Sequence, residues 1–282
     1  MASTRVLLVI TLLVVGLPLL DPWGSEAHAA TTQAGFIEET VLSGLTQPTA
    51  VRFSSDGRVF VAEKSGLIKV FASLTATTPT VFADLRTNVH NFWDRGLLGL
   101  ELHPNFPATP YVYALYTFDA PIGGTAPRWG TAGGTSDPCP SPPGPTSDGC
   151  VVAGRLSRLT AAGNVMTGSE QVLVEDWCQQ YPSHSMGSIA FGADGMLYAS
   201  GGEGSSFTFT DYGQDGNPVN PCGDPGGAAP VPPSAEGGSL RSQDIRTSGD
   251  PLGFNGSVIR IDPITGEGLA SNPLGASPDT NT

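Results

Sequence analysis

The feature that most constrains this chain is a repeated pair of short apolar runs joined at an Asp-Gly turn. From Thr49 to Val61 the pattern sets Phe53 three residues before Asp56-Gly57 and Phe60 three residues after the glycine. From Gly187 to Ala199 it recurs with Phe191, Asp194-Gly195 and Tyr198 in the same places. Asp-Gly between apolar runs is a strong hairpin signal, because glycine accepts the positive φ of a tight turn. A looser copy runs from Leu97 to Leu102, turns at His103-Pro104-Asn105-Phe106-Pro107, and resumes at Tyr111-Val112-Tyr113-Ala114-Leu115-Tyr116. A third run follows each pair: residues 66–71, 154–159 and 256–261. Helical periodicity is nearly absent. Three four-stranded antiparallel units of one design, separated by long inserts at 117–150 and 203–250, predict an all-β fold of propeller type. Closed propellers have about four to eight blades, so about three units predict an incomplete one.

The inserts explain the 37 glycines and 25 prolines in 282 residues, while aromatic and β-branched residues spread through the rest argue for a folded, loop-rich chain. Inserts of this kind gather on one face of a propeller and build its binding site. The net charge of −13, from 26 acidic and 13 basic residues, excludes a nucleic-acid partner and suits a neutral ligand such as a sugar.

Residues 1–30 read as a signal peptide. Arg5 precedes an apolar run from Val6 to Leu20, and Ala27-His28-Ala29 supplies the small-x-small cleavage pattern. The run falls short of the roughly 20 residues of a membrane span, an uncleaved anchor being the alternative. Residues 31–282 would then form one secreted, extracellular or periplasmic, partial propeller domain with no membrane span. In that oxidising setting the four cysteines should pair. Three connectivities are possible; the favoured one joins Cys139 to Cys150 across a short Pro/Gly/Ser loop and Cys178 to Cys222 between two loops.

The order of several motifs resembles the glucose/sorbosone dehydrogenase family over about residues 36–273. Arg95-Gly96-Leu97-Leu98-Gly99-Leu100, running to His103-Pro104-Asn105-Phe106, is similar to that family's second-blade entry. Ser183-His184-Ser185-Met186-Gly187, through Asp194-Gly195-Met196-Leu197-Tyr198 to Gly202-Glu203, resembles its catalytic segment. Val258-Ile259-Arg260-Ile261-Asp262-Pro263-Ile264-Thr265-Gly266 resembles a later blade.

The resemblance implies a six-bladed propeller that oxidises a sugar hydroxyl with pyrroloquinoline quinone (PQQ), assisted by calcium, and passes electrons to an acceptor. His184 would be the general base, a role suited to a side chain whose ordinary pKa lies near neutrality. Glu203 matches a family carboxylate in the substrate pocket, and Asp94 stands where soluble glucose enzymes carry an amide. Trp177 and Tyr181 are candidates to stack on a sugar ring. Arg241 and Arg246 are candidates to meet the anionic cofactor. The calcium ligands are not assigned, although Asp211, Asp215 and Asp224 offer a loose site that lacks EF-hand spacing.

Two departures stand out. Ser183 replaces the aspartate that the family places before the histidine. The family's cofactor-gripping basic residues should follow Thr282, so this chain is expected to be inactive alone. The alternative is a non-catalytic propeller that binds a protein or a glycan; a calcium-dependent lactonase-type propeller is a third reading. His103 and His90 are expected to be structural.

Overall fold

The middle of the fold is governed by one strand whose alternation is apolar on both sides. The computed structural model describes residues 33–139, 150–205, 222, 242 and 253–273. Residues 1–40 and 41–282 form separate units. The strands of the second unit are β1 (Pro48–Phe53), β2 (Val59–Glu63), β3 (Leu67–Phe71), β4 (Thr80–Asp84), β5 (Leu97–Leu102), β6 (Tyr111–Phe118), β7 (Val152–Ala162), β8 (Val165–Gln179), β9 (Met186–Phe191), β10 (Leu197–Gly201) and β11 (Val258–Ile261). They form three antiparallel sheets, β1-β2-β3-β4, β5-β6-β7-β8 and β9-β10-β11. No α-helix occurs among the described residues, and none is long and apolar enough to cross a membrane.

In β6, Val112, Ala114 and Tyr116 point into one core while Tyr113 and Leu115 point into another. Successive strand residues face opposite sides of a sheet, so this double alternation forces cover on both faces. The first core joins β6 to Phe60, Ala62 and Ile68 of the first sheet. The second joins it to Ile189, Leu197, Ala199, Ile259 and Ile261 of the third. Burial on both faces makes the middle sheet a blade between two others, with β5 beside both β1 and β9. Among the described residues the three blades do not close on themselves.

The repeat seen in the sequence is therefore a repeat of hairpins. Gly57 and Gly195 sit at φ +89° and +78°, and the preceding aspartates cap their turns by accepting from Arg58 N and Met196 N at 3.3 and 3.1 Å. In the looser copy, His103 Nδ1 takes the same role toward Asn105 N at 3.1 Å, and its ring packs edge-on against Phe191 and Tyr111. The third runs become β3, part of β7, and β11. The third sheet has three strands among the described residues rather than the expected four.

Both expected disulfides are formed, Cys139–Cys150 and Cys178–Cys222, with Cα separations of 5.5 and 5.7 Å. No cysteine is free. The signal segment, Arg241, Arg246, Asp211, Asp215 and Asp224 lie outside the described residues.

Candidate functional site

Two loops that each enter the first strand of a blade meet at one carboxylate. The loop before β5 carries Trp93, Asp94 and Arg95; the loop before β9 carries Pro182, Ser183 and His184. Asp94 N donates to the Pro182 carbonyl at 3.2 Å, and His184 N donates to Asp94 Oδ2 at 3.3 Å. Both Trp93 and His184 lie in the left-handed region, at φ +49° and +50°. For bulky non-glycine residues this conformation is unfavourable and persists where surrounding contacts impose it.

The contacts around His184 are specific. Its side chain is exposed, and Nδ1 donates to Glu203 Oε1, an acceptor when ionised. That contact selects the tautomer in which Nε2 carries the lone pair. Ser205 Oγ donates to the same Glu203 oxygen at 3.2 Å. His184 O accepts from Gly204 N at 3.0 Å. A Cβ on Gly202 would collide with that carbonyl, so glycine is required for the chain to pass so close. The motif before β5 has a similar cause. Gly96 sits at φ +149°, and a Cβ there would lie 2.6 Å from the Lys64 carbonyl.

Arg95 is a structural latch. Its fully buried guanidinium donates to the carbonyls of Cys150 at 2.6 Å and Gln179 at 2.8 Å, tying both segments to the Asp94 loop. Lys64, half-buried and bonded to Asn91 Oδ1 at 2.6 Å, lies in the field of Asp94. Burial pulls its ammonium below the usual lysine range, and Asp94 opposes the shift.

The sequence-derived candidates divide. His184, Glu203 and Asp94 come together. Trp177 does not join them: it is fully buried between the second and third blades, against Phe254, so it has no face for a ligand. Tyr181 is 6% exposed and meets the site through its ring, edge-on to Trp93 at 5.9 Å. Trp93 is not among the sequence-derived stacking candidates, although its place beside Asp94 was available as a signal. Ser183 is buried and donates to Ser205 O at 2.6 Å, so it does not orient the imidazole. Glu203 makes that contact instead, which offsets the serine-for-aspartate departure.

His90 is fully buried with Nε2 3.7 and 3.9 Å from the Cys150 and Cys139 sulfurs. Burial, reinforced by the nearby Arg95 charge, lowers its pKa to about 2. These three residues are the group among those described whose ligand atoms cluster closely enough for a metal. Both sulfurs are in a disulfide, and sulfur and imidazole are not calcium ligands. Two clefts of about 300 and 370 Å³ lie elsewhere, lined by Leu173, Phe254 and Glu267 and by Phe53, Glu101 and His103.

PQQ bears three carboxylates. The cluster offers two carboxylates and, in its field, one lysine already bonded to an asparagine, while Arg95 is committed to backbone carbonyls. The described residues thus suit a neutral polyol and do not by themselves fit a trianion.

Successive antiparallel blades, two of four strands and a third with three among the described residues, carrying a polar cluster on the loops that enter their first strands, make an incomplete β-propeller of the sugar-dehydrogenase type. Residues 45–219 match the sequence model of the glucose/sorbosone dehydrogenases, and the chain belongs to that family. It is 28% identical over 172 residues to the Hedgehog-interacting protein of Mus musculus, covering 59% of this chain and 22% of that protein. The Homo sapiens protein is 29% identical over 175 residues, with 60% and 22% covered. Among solved structures, a glucose dehydrogenase-type oxidoreductase of Thermus thermophilus matches at 26% identity and TM-score 0.55, covering 86% of this chain and 52% of that one. The PQQ-bound aldose sugar dehydrogenase of Streptomyces coelicolor matches in fold at 19% identity and TM-score 0.53, with 86% and 52% covered. The chain thus spans about half the length of these structures and about a fifth of the relatives.

Proposed function

We propose that this chain carries the substrate-side half of a PQQ-dependent aldose dehydrogenase-type site, with His184 taking the proton from a sugar hydroxyl. The observation that carries the proposal is the Glu203–His184 pair held in a left-handed turn beside Asp94. An imidazole nitrogen suits proton removal from an alcohol as it is oxidised. Glu203 fixes the tautomer and stabilises the imidazolium that forms. Asp94 holds the His184 backbone. PQQ, when bound, supplies the hydride acceptor. Cofactor contacts fall to residues outside those described, Arg241 and Arg246 among them, and calcium has no ligands assigned.

Residues 1–30 are proposed to direct export and to be removed, leaving 31–282 as the mature chain. The acidic charge and the two disulfides support this setting. A second reading, a non-catalytic binding module, is favoured by the identity to the Hedgehog-interacting proteins.

Titration of the purified chain with PQQ and calcium, following cofactor absorbance and melting temperature, tests the enzyme proposal. Aldose-dependent reduction of an artificial acceptor dye then completes the assay. The chain alone is expected to stay inactive. In a form extended to the length of the matched sugar dehydrogenases, expected are a raised melting temperature, dye reduction, and a fall of at least about a hundredfold in rate on His184→Ala, the usual scale of a lost general base. Absence of both PQQ binding and dye reduction in that extended form would overturn the enzyme proposal and leave the binding module.

A further inference from the structure

We propose that Trp93 is a binding residue of this site, a stacking shelf for the ring of the saccharide. This builds on the sugar-site proposal for its location, but ring binding does not require oxidation.

Trp93 is 51% exposed in a chain that buries Trp177 completely. A lone exposed aromatic needs no explanation by itself. Here two further observations give one. The backbone at Trp93 is left-handed, a conformation that only imposed contacts maintain in so bulky a residue. The indole is also braced from within, stacked nearly parallel on Phe92 at 5.4 Å and 14° and met edge-on by Tyr181 at 70°. An exposed ring fixed by two others is presented rather than merely left out.

Its position follows from the next residue. Asp94 is bonded to both Pro182 and His184, so the shelf is bolted to the segment carrying the proposed base. A flat, rigid apolar face beside carboxylates suits a ligand with one apolar CH face and a rim of hydroxyls. A pyranose ring has both; an acyclic polyol has no fixed CH face. The surplus of 26 acidic over 13 basic residues disfavours an anionic ligand.

The test is calorimetric and fluorescence titration of the purified chain with cellobiose, methyl β-glucoside and mannitol. The two ring compounds should bind and perturb tryptophan emission, and mannitol should do neither. Trp93→Ala should weaken ring binding roughly tenfold, the scale of one lost aromatic face. Trp93→Phe should retain most of the affinity while losing the emission change, which separates stacking from misfolding. Equal binding of cellobiose by wild type and Trp93→Ala, binding of mannitol as tight as the rings, or no saccharide binding at all would overturn the shelf. Ring binding through Trp93 in a chain whose extended form, of the length of the matched sugar dehydrogenases, never reduces an acceptor dye keeps the shelf and removes the dehydrogenase. Dye reduction by that extended form that is indifferent to Trp93 does the reverse.

Discussion

The middle blade and the loop pair at its entrance solve opposite problems with adjacent residues. In β6 every residue from Val112 to Tyr116 is fully buried, and the period of two satisfies both neighbours. Immediately before β5, Trp93 is exposed with its backbone in an unfavourable region, and Asp94 faces His184 in the same condition. The blade lowers its energy wherever its sequence allows. The loops hold conformations that their own residues disfavour, and Arg95, buried beneath them, does the holding. Stability concentrated in one region and local strain in the other is the distribution expected where a scaffold positions a site.

The largest effect should come from breaking the blade. Leu115 is fully buried and packs against Gly99 in the same sheet as well as into the second core. Leu115→Ala should cost about 2–5 kcal/mol, from lost transfer energy and the cavity left behind. Urea denaturation would show this as a lower midpoint at unchanged slope. A loss below about 1 kcal/mol would mean that the blade is not the rigid member of the pair.

How much of each region was legible follows from the same contrast. The blades were readable because their determinants are local: alternation in β6, and Asp-Gly turns at 56–57 and 194–195 whose aspartates cap their own loops. Cys139–Cys150 could be favoured because it closes a loop of 11 residues, and Cys178–Cys222, 44 residues apart, then follows as the remaining pair. The site was readable only in part. The histidine segment and the Glu203 carboxylate stand out by resemblance, yet the contact between them depends on how β9 and β10 return the chain to the same end. Trp177 and Trp93 illustrate the limit. Both lie beside candidate polar residues, but Trp177 is a residue of β8 facing the third blade, while Trp93 is thrown outward by its backbone. Burial depends on tertiary neighbours, and no local pattern separates the two.

A second effect, comparable in size to the first only at the acid end of its range, joins the two regions through pH. His90 lies buried between the Asp94 loop and the Cys139–Cys150 disulfide, with its pKa lowered to about 2 from the ordinary 6.5. The unfolded chain takes up a proton below pH 6.5 that the folded chain refuses. Stability from His90 is therefore full above pH 6.5 and is lost on acidification toward 2, at about 1.4 kcal/mol per pH unit. Asp119 acts with the opposite sign. Burial raises its carboxyl to about 6 despite hydrogen bonds from the backbone of Trp129 and Gly130. Its contribution is fully present below 3.8 and is lost as pH rises through 6, so acidification over that window restores it. The two partly cancel between about pH 6 and 4, and only His90 continues below. Melting curves of His90→Leu should lose stability more slowly than wild type from about pH 6.5 to 3. Parallel curves would show that His90 is not the acid-sensitive link.

The smallest effect is the most informative about the loops. His184 at φ +50° is a position that glycine occupies without steric cost. If the histidine were there to hold the structure, His184→Gly would destabilise the chain. Its contacts argue otherwise. The pair with Glu203 involves an exposed imidazole, and exposed pairs contribute at most about 1 kcal/mol. The hydrogen bonds of its backbone, N to Asp94 and O from Gly204, survive the substitution. Relief of the left-handed strain, about 1 kcal/mol or somewhat more, opposes the lost pair and the greater freedom of glycine in the unfolded chain. The net change should lie within about 1 kcal/mol of zero, a melting shift of a few degrees at most. Leu115→Ala in the blade should exceed it severalfold. A large loss on His184→Gly would make the turn part of the scaffold and erase the contrast. Near-neutral stability, with loss of dye reduction when the same substitution is placed in the extended form, would mark His184 as retained for chemistry in a conformation that the fold does not need.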